Sequence, residues 1–89
     1  MIREPVIIVN KLGLHARAAA KLVGTASRYE SSVQVSKEGR AVDGKSIMSV
    51  MMLAASKGTE IELIIDGPDE VEARDALTEL IGDYFGEGE

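Results

Sequence analysis

The only histidine in this 89-residue chain, His15, is the side chain best suited to nucleophilic chemistry. It follows a loop that contains Gly13 and precedes an alanine-rich stretch typical of a helix, with Arg17 two residues further on. The first N–H groups of a helix have no partner within that helix and attract anions. We therefore expect the N–H groups of Ala16 and Arg17, together with the Arg17 guanidinium, to stabilise an anionic group attached to His15.

The surroundings of His15 in the sequence favour a carrier over an enzyme. Because the helix dipole disfavours imidazolium, we expect the ring to be neutral and nucleophilic near pH 7. No second histidine, and no acidic residue at an obvious spacing, completes a catalytic triad or a base–nucleophile pair with it. The alternative interpretation is a capping or surface histidine with an unrelated arginine nearby.

Ser46 is a second residue that could carry an anion. It precedes a short apolar segment, Ile47 to Met52, that we predict to be helical, and serine is a preferred residue at a helix N-cap. A phosphate at that position would interact favourably with the helix dipole and would not need to unfold the helix. A plain capping role for Ser46 is compatible with the same pattern.

The segment after Ser46 also predicts a surface for partner proteins. A short helix rarely buries every apolar residue, and adaptable methionine side chains suit a surface that meets several partners. We predict a docking patch whose apolar centre consists of Ala20, Ile47, Met48 and a partly buried Met51. Lys21 and Lys45 form its basic rim, and Arg17 flanks it.

The pattern of apolar residues predicts the element order β-α-β-β-α-β-α. Alternating or β-branched runs indicate four strands, at residues 6–9, 32–36, 41–43 and 60–66. Helical spacing indicates three helices, from Ala16 to residues 27–29, from Ile47 to Met52 after the N-cap Ser46, and from residues 66–70 to Tyr84. Residues 86–89 are expected to form a frayed tail. Elements with one apolar face each are best satisfied by a two-layer α+β fold that leaves one sheet face exposed.

Composition excludes several classes of protein. Without cysteine there is no disulfide or thiolate site, and with a single histidine no transition-metal site is expected. The longest apolar run, Val50 to Ala55, is far shorter than the roughly 20 residues of a membrane span. An acid and a proline interrupt the N-terminus where a signal peptide would be apolar. We expect one cytoplasmic domain over residues 1–89, with no cofactor and no contact with membranes.

The net charge of −5 is divided unevenly along the chain. Residues 1–46 have eight basic and four acidic side chains, whereas residues 47–89 have two basic and eleven acidic ones, so the two parts carry +4 and −9. Such asymmetry can steer an acidic partner to one face. Nucleic acid is a poor partner, because the chain is acidic overall and only 3% aromatic.

The segments LGLHARAA, from Leu12 to Ala19, and KSIMSVMMLA, from Lys45 to Ala54, resemble the two signatures of the HPr family. This family comprises the histidine-containing phosphocarriers of the bacterial phosphoenolpyruvate-dependent phosphotransferase system. The resemblance extends over essentially the whole chain and implies an open-faced β-sandwich, with three helices on one face of a four-stranded antiparallel sheet.

The resemblance also implies a phosphoryl relay. Enzyme I would phosphorylate His15 on Nδ1, and His15 would pass the group to enzyme IIA-type proteins. Ser46 would be modified by HPr kinase/phosphorylase in bacteria that possess this enzyme.

The chain departs from the family pattern at Ala18, where most members have proline, and at Gly24 and Ser27, where many have larger polar or basic groups. Alanine is compatible with a helix, so we expect the geometry at His15 to survive with a less rigid helix start. Two other functions stay open: a carrier of the nitrogen-related phosphotransferase branch, and a small α+β regulatory or ligand-binding domain without phosphoryl chemistry. We expect a monomer.

Overall fold

The computed structural model describes all residues from Met1 to Glu89, and its element order is the predicted β-α-β-β-α-β-α. The strands are β1 (Ile2–Ile7), β2 (Ser32–Lys37), β3 (Arg40–Asp43) and β4 (Glu60–Asp66). The helices are α1 (Ala16–Ala26), α2 (Ile47–Met52) and α3 (Glu70–Gly82). A short 3-10 turn, Tyr84–Gly86, follows α3.

The four strands form one antiparallel sheet in the order β1-β4-β2-β3. Strand β4 alternates strictly along its length, with Ile61, Leu63 and Ile65 buried. Val35 of β2 lies opposite Leu63, and Val33 lies opposite Ile65, so apolar side chains of the two central strands meet on one face. The three helices cover this face, which gives the open-faced β-sandwich that the family resemblance implies.

The core consists of eighteen buried apolar residues that form one cluster between the sheet and the helices. Helix α1 contributes Ala18, Ala19, Leu22 and Ala26 at helical spacing, and Val23 packs against the same core while partly exposed. The longest helix has 13 residues, and none of the helices has both the length and the apolar character that a bilayer span requires.

The predicted position of the first strand is wrong. Strand β1 runs from Ile2 to Ile7 and includes Pro5, which lies opposite Glu62 of β4. Proline has no N–H to donate, but β1 is an edge strand that pairs on one side only, where proline is tolerated. Ile8 is buried just beyond the end of the strand. The β-branched run at residues 6–9 therefore includes the point where the chain becomes buried, but it does not give the bounds of the strand.

The predicted end of the last helix is also wrong. Helix α3 ends at Gly82 instead of continuing to Tyr84, which is largely exposed. Tyr84 and Phe85 adopt positive φ angles of 56° and 52°, which turn the chain back on itself. Phe85 is completely buried, and burial of this large ring stabilises the reversal.

The prediction that residues 86–89 form a frayed tail is wrong. The carbonyl of Phe85 accepts a hydrogen bond from Lys21 Nζ at 2.6 Å, which ties the start of this tail to α1. The Lys11 N–H donates to the Glu89 carbonyl at 3.1 Å. The buried ring and these two hydrogen bonds hold the tail against the loop that follows β1.

Candidate functional site

The loop between β1 and α1 fixes the position from which His15 projects. Gly13 has a φ of 67°, a left-handed conformation that favours glycine, and a Cβ there would lie 2.5 Å from the Ala55 carbonyl oxygen. The Leu14 N–H donates to the same carbonyl at 2.8 Å. The buried side chain of Asn10 closes the loop, because its Nδ2 donates to the Gly13 carbonyl at 2.8 Å.

His15 is the N-cap residue of α1. Its backbone is extended, and its Nδ1 accepts the N–H of Arg17 at 3.3 Å. The N–H groups of Ala16 and Ala18 make no hydrogen bond within the protein, as is usual for the first turn of a helix. The imidazole side chain is 27% exposed, which leaves it accessible from one side.

An acidic residue does pair with His15, although the sequence spacing indicated none. The Oε2 atom of Glu87 lies 2.5 Å from His15 Nε2, and its Oε1 accepts a hydrogen bond from Asn10 Nδ2 at 3.0 Å. Glu87 belongs to the tail that was expected to fray. The pair is separated by 72 residues in the chain, so no local motif could have found it.

The pKa of the Glu87 carboxyl lies below its usual value. Partial burial acts against ionisation, but hydrogen bonds from Asn10 and His15 outweigh it, and the charge of Lys21 adds to their effect. Glu87 is therefore a carboxylate at neutral pH.

A depression of about 370 Å³ is lined by Arg17 and by Glu87, whose carboxylate contacts the His15 ring. Its charged lining comprises Lys11, Arg17 and Lys21 against Glu87 and Glu89. The Arg17 side chain is exposed and makes no hydrogen bond or ion pair. Lys11 and Arg17 make no side-chain hydrogen bond or ion pair, so two cations of the depression are available to an additional anion.

Ser46 is the N-cap residue of α2, as the sequence predicts, and its Oγ accepts the N–H of Ser49 at 3.3 Å. Its own N–H donates to the Asp43 carbonyl at 3.2 Å. Helix α2 packs against α1, so Ser46 and His15 lie at the starts of two neighbouring helices. The Ser46 hydroxyl is partly exposed.

The apolar centre of the docking patch is accessible. Ile47 and Met48 are 43% and 69% exposed, Met51 is 37% exposed, and Ala20 lies on the outer side of α1. Leu12, in the loop before His15, is also exposed and is not among the residues predicted for the patch.

The basic rim of the docking patch is less free than predicted. Lys21 Nζ donates to the Phe85 carbonyl, and Lys45 Nζ donates to the Tyr29 carbonyl at 2.8 Å. Lys21 therefore ties the tail to α1, and Lys45 ties the segment before α2 to the turn that follows α1. Arg17 is the flanking cation that has no such bond.

Comparison with known proteins gives a consistent result over the whole chain. The family model described as the PTS HPr component phosphorylation site matches residues 2–83. The phosphocarrier protein HPr of Neisseria meningitidis is 60% identical over 89 residues, and that of Cupriavidus necator is 57% identical over 89 residues; both alignments cover all of each chain. The crystal structure of HPr-C-His from Thermoanaerobacter tengcongensis matches with a TM-score of 0.94 at 46% identity, covering 98% of each chain. The chain therefore belongs to the HPr family and is a phosphocarrier of the phosphotransferase system.

Proposed function

We propose that His15 accepts a phosphoryl group on Nδ1 from enzyme I, which phosphoenolpyruvate charges, and donates it to an enzyme IIA-type protein. The environment of Nδ1 supports this assignment most directly, because this nitrogen accepts the Arg17 N–H in the first turn of α1 and the ring is partly exposed. Membership of a phosphocarrier family argues against an incidental histidine and against a ligand-binding domain without phosphoryl chemistry.

Transfer to His15 depends on positioning and charge stabilisation. The lone pair on Nδ1 forms a bond to phosphorus while the bond between phosphorus and the donor atom of enzyme I breaks, and that electron pair leaves with the donor. The Arg17 N–H then donates to a phosphoryl oxygen instead of Nδ1, and the Ala16 N–H does the same. These are the main contributions that a protein makes to phosphoryl transfer.

The Arg17 guanidinium is the proposed mobile cation of the site. Because it makes no other hydrogen bond, it can reach the phosphoryl oxygens without breaking an existing contact. A flexible guanidinium stabilises phospho-His15 without holding it so tightly that onward transfer is blocked. In this scheme the chain is a stoichiometric carrier and not an autonomous enzyme.

The reaction with enzyme I tests the assignment. We expect incubation with enzyme I and phosphoenolpyruvate to attach an acid-labile, alkali-stable phosphate, and His15→Ala to abolish the attachment while the fold is retained. Absence of incorporation into the wild-type chain would overturn the proposal. Parallel incubations with enzyme I of the sugar branch and of the nitrogen-related branch would assign the chain to one of them.

Ser46 is the proposed site of regulatory phosphorylation by HPr kinase/phosphorylase, where the host has this enzyme. A phosphate on Oγ would add a charge of about −1.5 to −2 at the start of α2, next to the docking patch. We expect Ser46→Asp to slow phosphorylation by enzyme I with the fold intact, and Ser46→Ala not to slow it. An unchanged rate in Ser46→Asp would contradict the role, as would failure of the kinase to attach acid-stable phosphate to Ser46.

The docking patch is the proposed contact surface for enzyme I and for enzyme IIA-type proteins. Met48 is its most exposed large side chain, and Met52, at the end of the same helix, is 60% exposed and lies outside the patch. Met48→Glu should therefore weaken binding of enzyme I, measured by titration calorimetry, more strongly than the matched variant Met52→Glu. Equal effects of the two variants would show that the patch is not the contact surface.

We further propose that the carrier acts as a monomer in the cytoplasm. Solved relatives include an HPr dimer from Thermoanaerobacter tengcongensis and a domain-swapped dimer of Crh from Bacillus subtilis, at 48% and 44% identity. Light scattering after gel filtration measures the state of this chain directly. A mass twice that of the 9.5 kDa chain would overturn the monomer.

A further inference from the structure

Glu87 contacts the side of the His15 ring that the proposed transfer does not use. Its Oε2 lies 2.5 Å from Nε2, whereas the phosphoryl-accepting nitrogen in the proposed function is Nδ1. Its Oε1 accepts from Asn10 Nδ2, and the same Nδ2 donates to the Gly13 carbonyl. Because Asn10 is completely buried and its amide is oriented by two acceptors, the carboxylate of Glu87 is held in a fixed position.

The donors and acceptors of this network permit one position for the ring proton. A carboxylate has acceptor sites only, so the proton in the bond between Glu87 and His15 must come from Nε2. At the other nitrogen, the Arg17 N–H donates to Nδ1, which must therefore carry a lone pair. Both contacts place the proton on Nε2 and leave Nδ1 free to attack phosphorus.

We propose that Glu87 is a positioning residue for phosphoryl transfer: it holds the ring proton of His15 on Nε2, and Asn10 holds Glu87 in place. Nδ1 is then the only nucleophilic nitrogen of the ring. This inference rests on the proposed function, since it assigns a role in transfer through the same histidine.

The contact with Glu87 also keeps the proton in place through the whole cycle. When Nδ1 bonds to phosphorus, the ring becomes a phosphoimidazolium whose positive charge faces the carboxylate. When the P–N bond breaks, its electron pair returns to Nδ1 and leaves a neutral imidazole that still carries Nε2–H. No proton has to enter or leave the ring, and a protonated ring is the better leaving group for onward transfer.

Glu89 provides a matched control for Glu87. Arg17 and Lys21 of α1 and Lys11 of the preceding loop line the same depression as the two glutamates. Glu89 has the same charge and lies in the same tail, but its carboxylate does not contact the ring. An effect that comes only from the charge of the tail would therefore appear both in Glu87→Gln and in Glu89→Gln. The position of the ring proton on Nε2 should change only in Glu87→Gln.

The first test measures the tautomer of the unphosphorylated protein by ¹⁵N NMR, in the wild type, Glu87→Gln and Glu89→Gln. We expect Nδ1 to show the shift of an unprotonated nitrogen in the wild type and in Glu89→Gln. In Glu87→Gln the new side-chain amide has one acceptor atom, so it cannot accept from Asn10 and His15 through two separate oxygens, and the preference for Nε2–H should fall on the order of tenfold. An unchanged tautomer in Glu87→Gln, or the same change in Glu89→Gln, would overturn the inference.

The second test measures the rate of hydrolysis of phospho-His15 from about pH 5 to about pH 9, which spans the protonation range of an imidazole ring. We expect Glu87→Gln to hydrolyse several-fold more slowly than the wild type at pH 7, with a pH–rate profile displaced to lower pH, and also more slowly than Glu89→Gln, which removes the same charge from the depression without loss of a contact to the ring. Identical profiles for wild type and Glu87→Gln would refute the role in the phosphorylated state. Since the tautomer measurement needs no phosphoryl donor, failure of the proposed function and failure of this inference are distinguishable.

Discussion

Replacement of Gly13 by alanine should both destabilise the fold and slow phosphorylation of His15. An L-residue held at the φ of 67° found there costs about 1–2 kcal/mol. The added Cβ would lie 2.5 Å from the Ala55 carbonyl oxygen and 2.8 Å from the Ser56 Cα, and relief of such overpacking costs about 1–3 kcal/mol. Because these are backbone atoms, the loop can yield only by weakening the hydrogen bond from Leu14 to Ala55. The expected loss in unfolding free energy is therefore about 2–5 kcal/mol.

Gly39 offers the matched control for this substitution. It lies in the turn between β2 and β3 with a φ of 82°, but no atom lies within 4 Å of a Cβ built there. Gly39→Ala should therefore lose the conformational contribution alone, about 1–2 kcal/mol, and should be phosphorylated normally. Urea unfolding measures both losses, and thermal unfolding should show a further drop of about 4–8 °C for each additional kcal/mol. Equal stability of Gly13→Ala and Gly39→Ala would refute the packing of this loop on Ala55.

Phe85→Ala should lower the unfolding free energy, measured by urea unfolding, by about 3–5 kcal/mol, because the ring is completely buried. A loss below about 1 kcal/mol would contradict the role of Phe85 as the anchor of the tail. Gly24→Ala, on the open side of α1, should instead raise it by about 0.5–1 kcal/mol, and destabilisation there would contradict the exposed position. Arg17→Ala should slow incorporation of phosphate from enzyme I without changing stability, and an unaltered rate would remove the guanidinium from the mechanism. Asp69 has a pKa below its usual value, because its carboxylate accepts hydrogen bonds from the hydroxyl and N–H of Ser31 and from the N–H of Glu30. The folded state therefore binds fewer protons than the unfolded state in mild acid. The contribution of Asp69 to the unfolding free energy is complete above the ordinary pKa of about 4 and is lost as the pH falls through the lowered pKa of the folded state. Asp69→Asn should therefore make the unfolding free energy depend less on pH in acid. Parallel curves of unfolding free energy against pH for the two proteins would contradict this role of Asp69.

The half of the site around Nδ1 could be predicted because it is local in the sequence. A histidine placed directly before an alanine-rich helix meets the first N–H groups of that helix whatever the remainder of the fold does. Ser46 is the same case, since its capping bond reaches only three residues along the chain.

The half of the site around Nε2 could not be predicted from local patterns. Glu87 reaches His15 because Tyr84 and Phe85 adopt positive φ angles, and non-glycine residues give no sequence signal for that conformation. The sequence does contain Phe85 as an apolar residue close to the chain end, which in retrospect indicates an anchored tail. Its burial depends on tertiary packing against the core and not on the spacing within α3.

The strands show the same division between local and tertiary information. Strand β4 has one buried and one open face along its whole length, so its alternation of Ile61, Leu63 and Ile65 predicted it correctly. Strand β1 was misplaced because it lies at the sheet edge and accommodates Pro5, which usually indicates a strand boundary. The bonds of Lys21 and Lys45 to the Phe85 and Tyr29 carbonyls could not be predicted, because they depend on where other elements end.

The atom that carries the phosphoryl group tests the central claim most directly. After reaction of ¹⁵N-labelled protein with enzyme I and phosphoenolpyruvate, coupling between ³¹P and ring nitrogen identifies that atom. The account predicts coupling to Nδ1 of His15, with Nε2 still protonated. A P–N bond at Nε2, or phosphate attached to a hydroxyl oxygen, would contradict it.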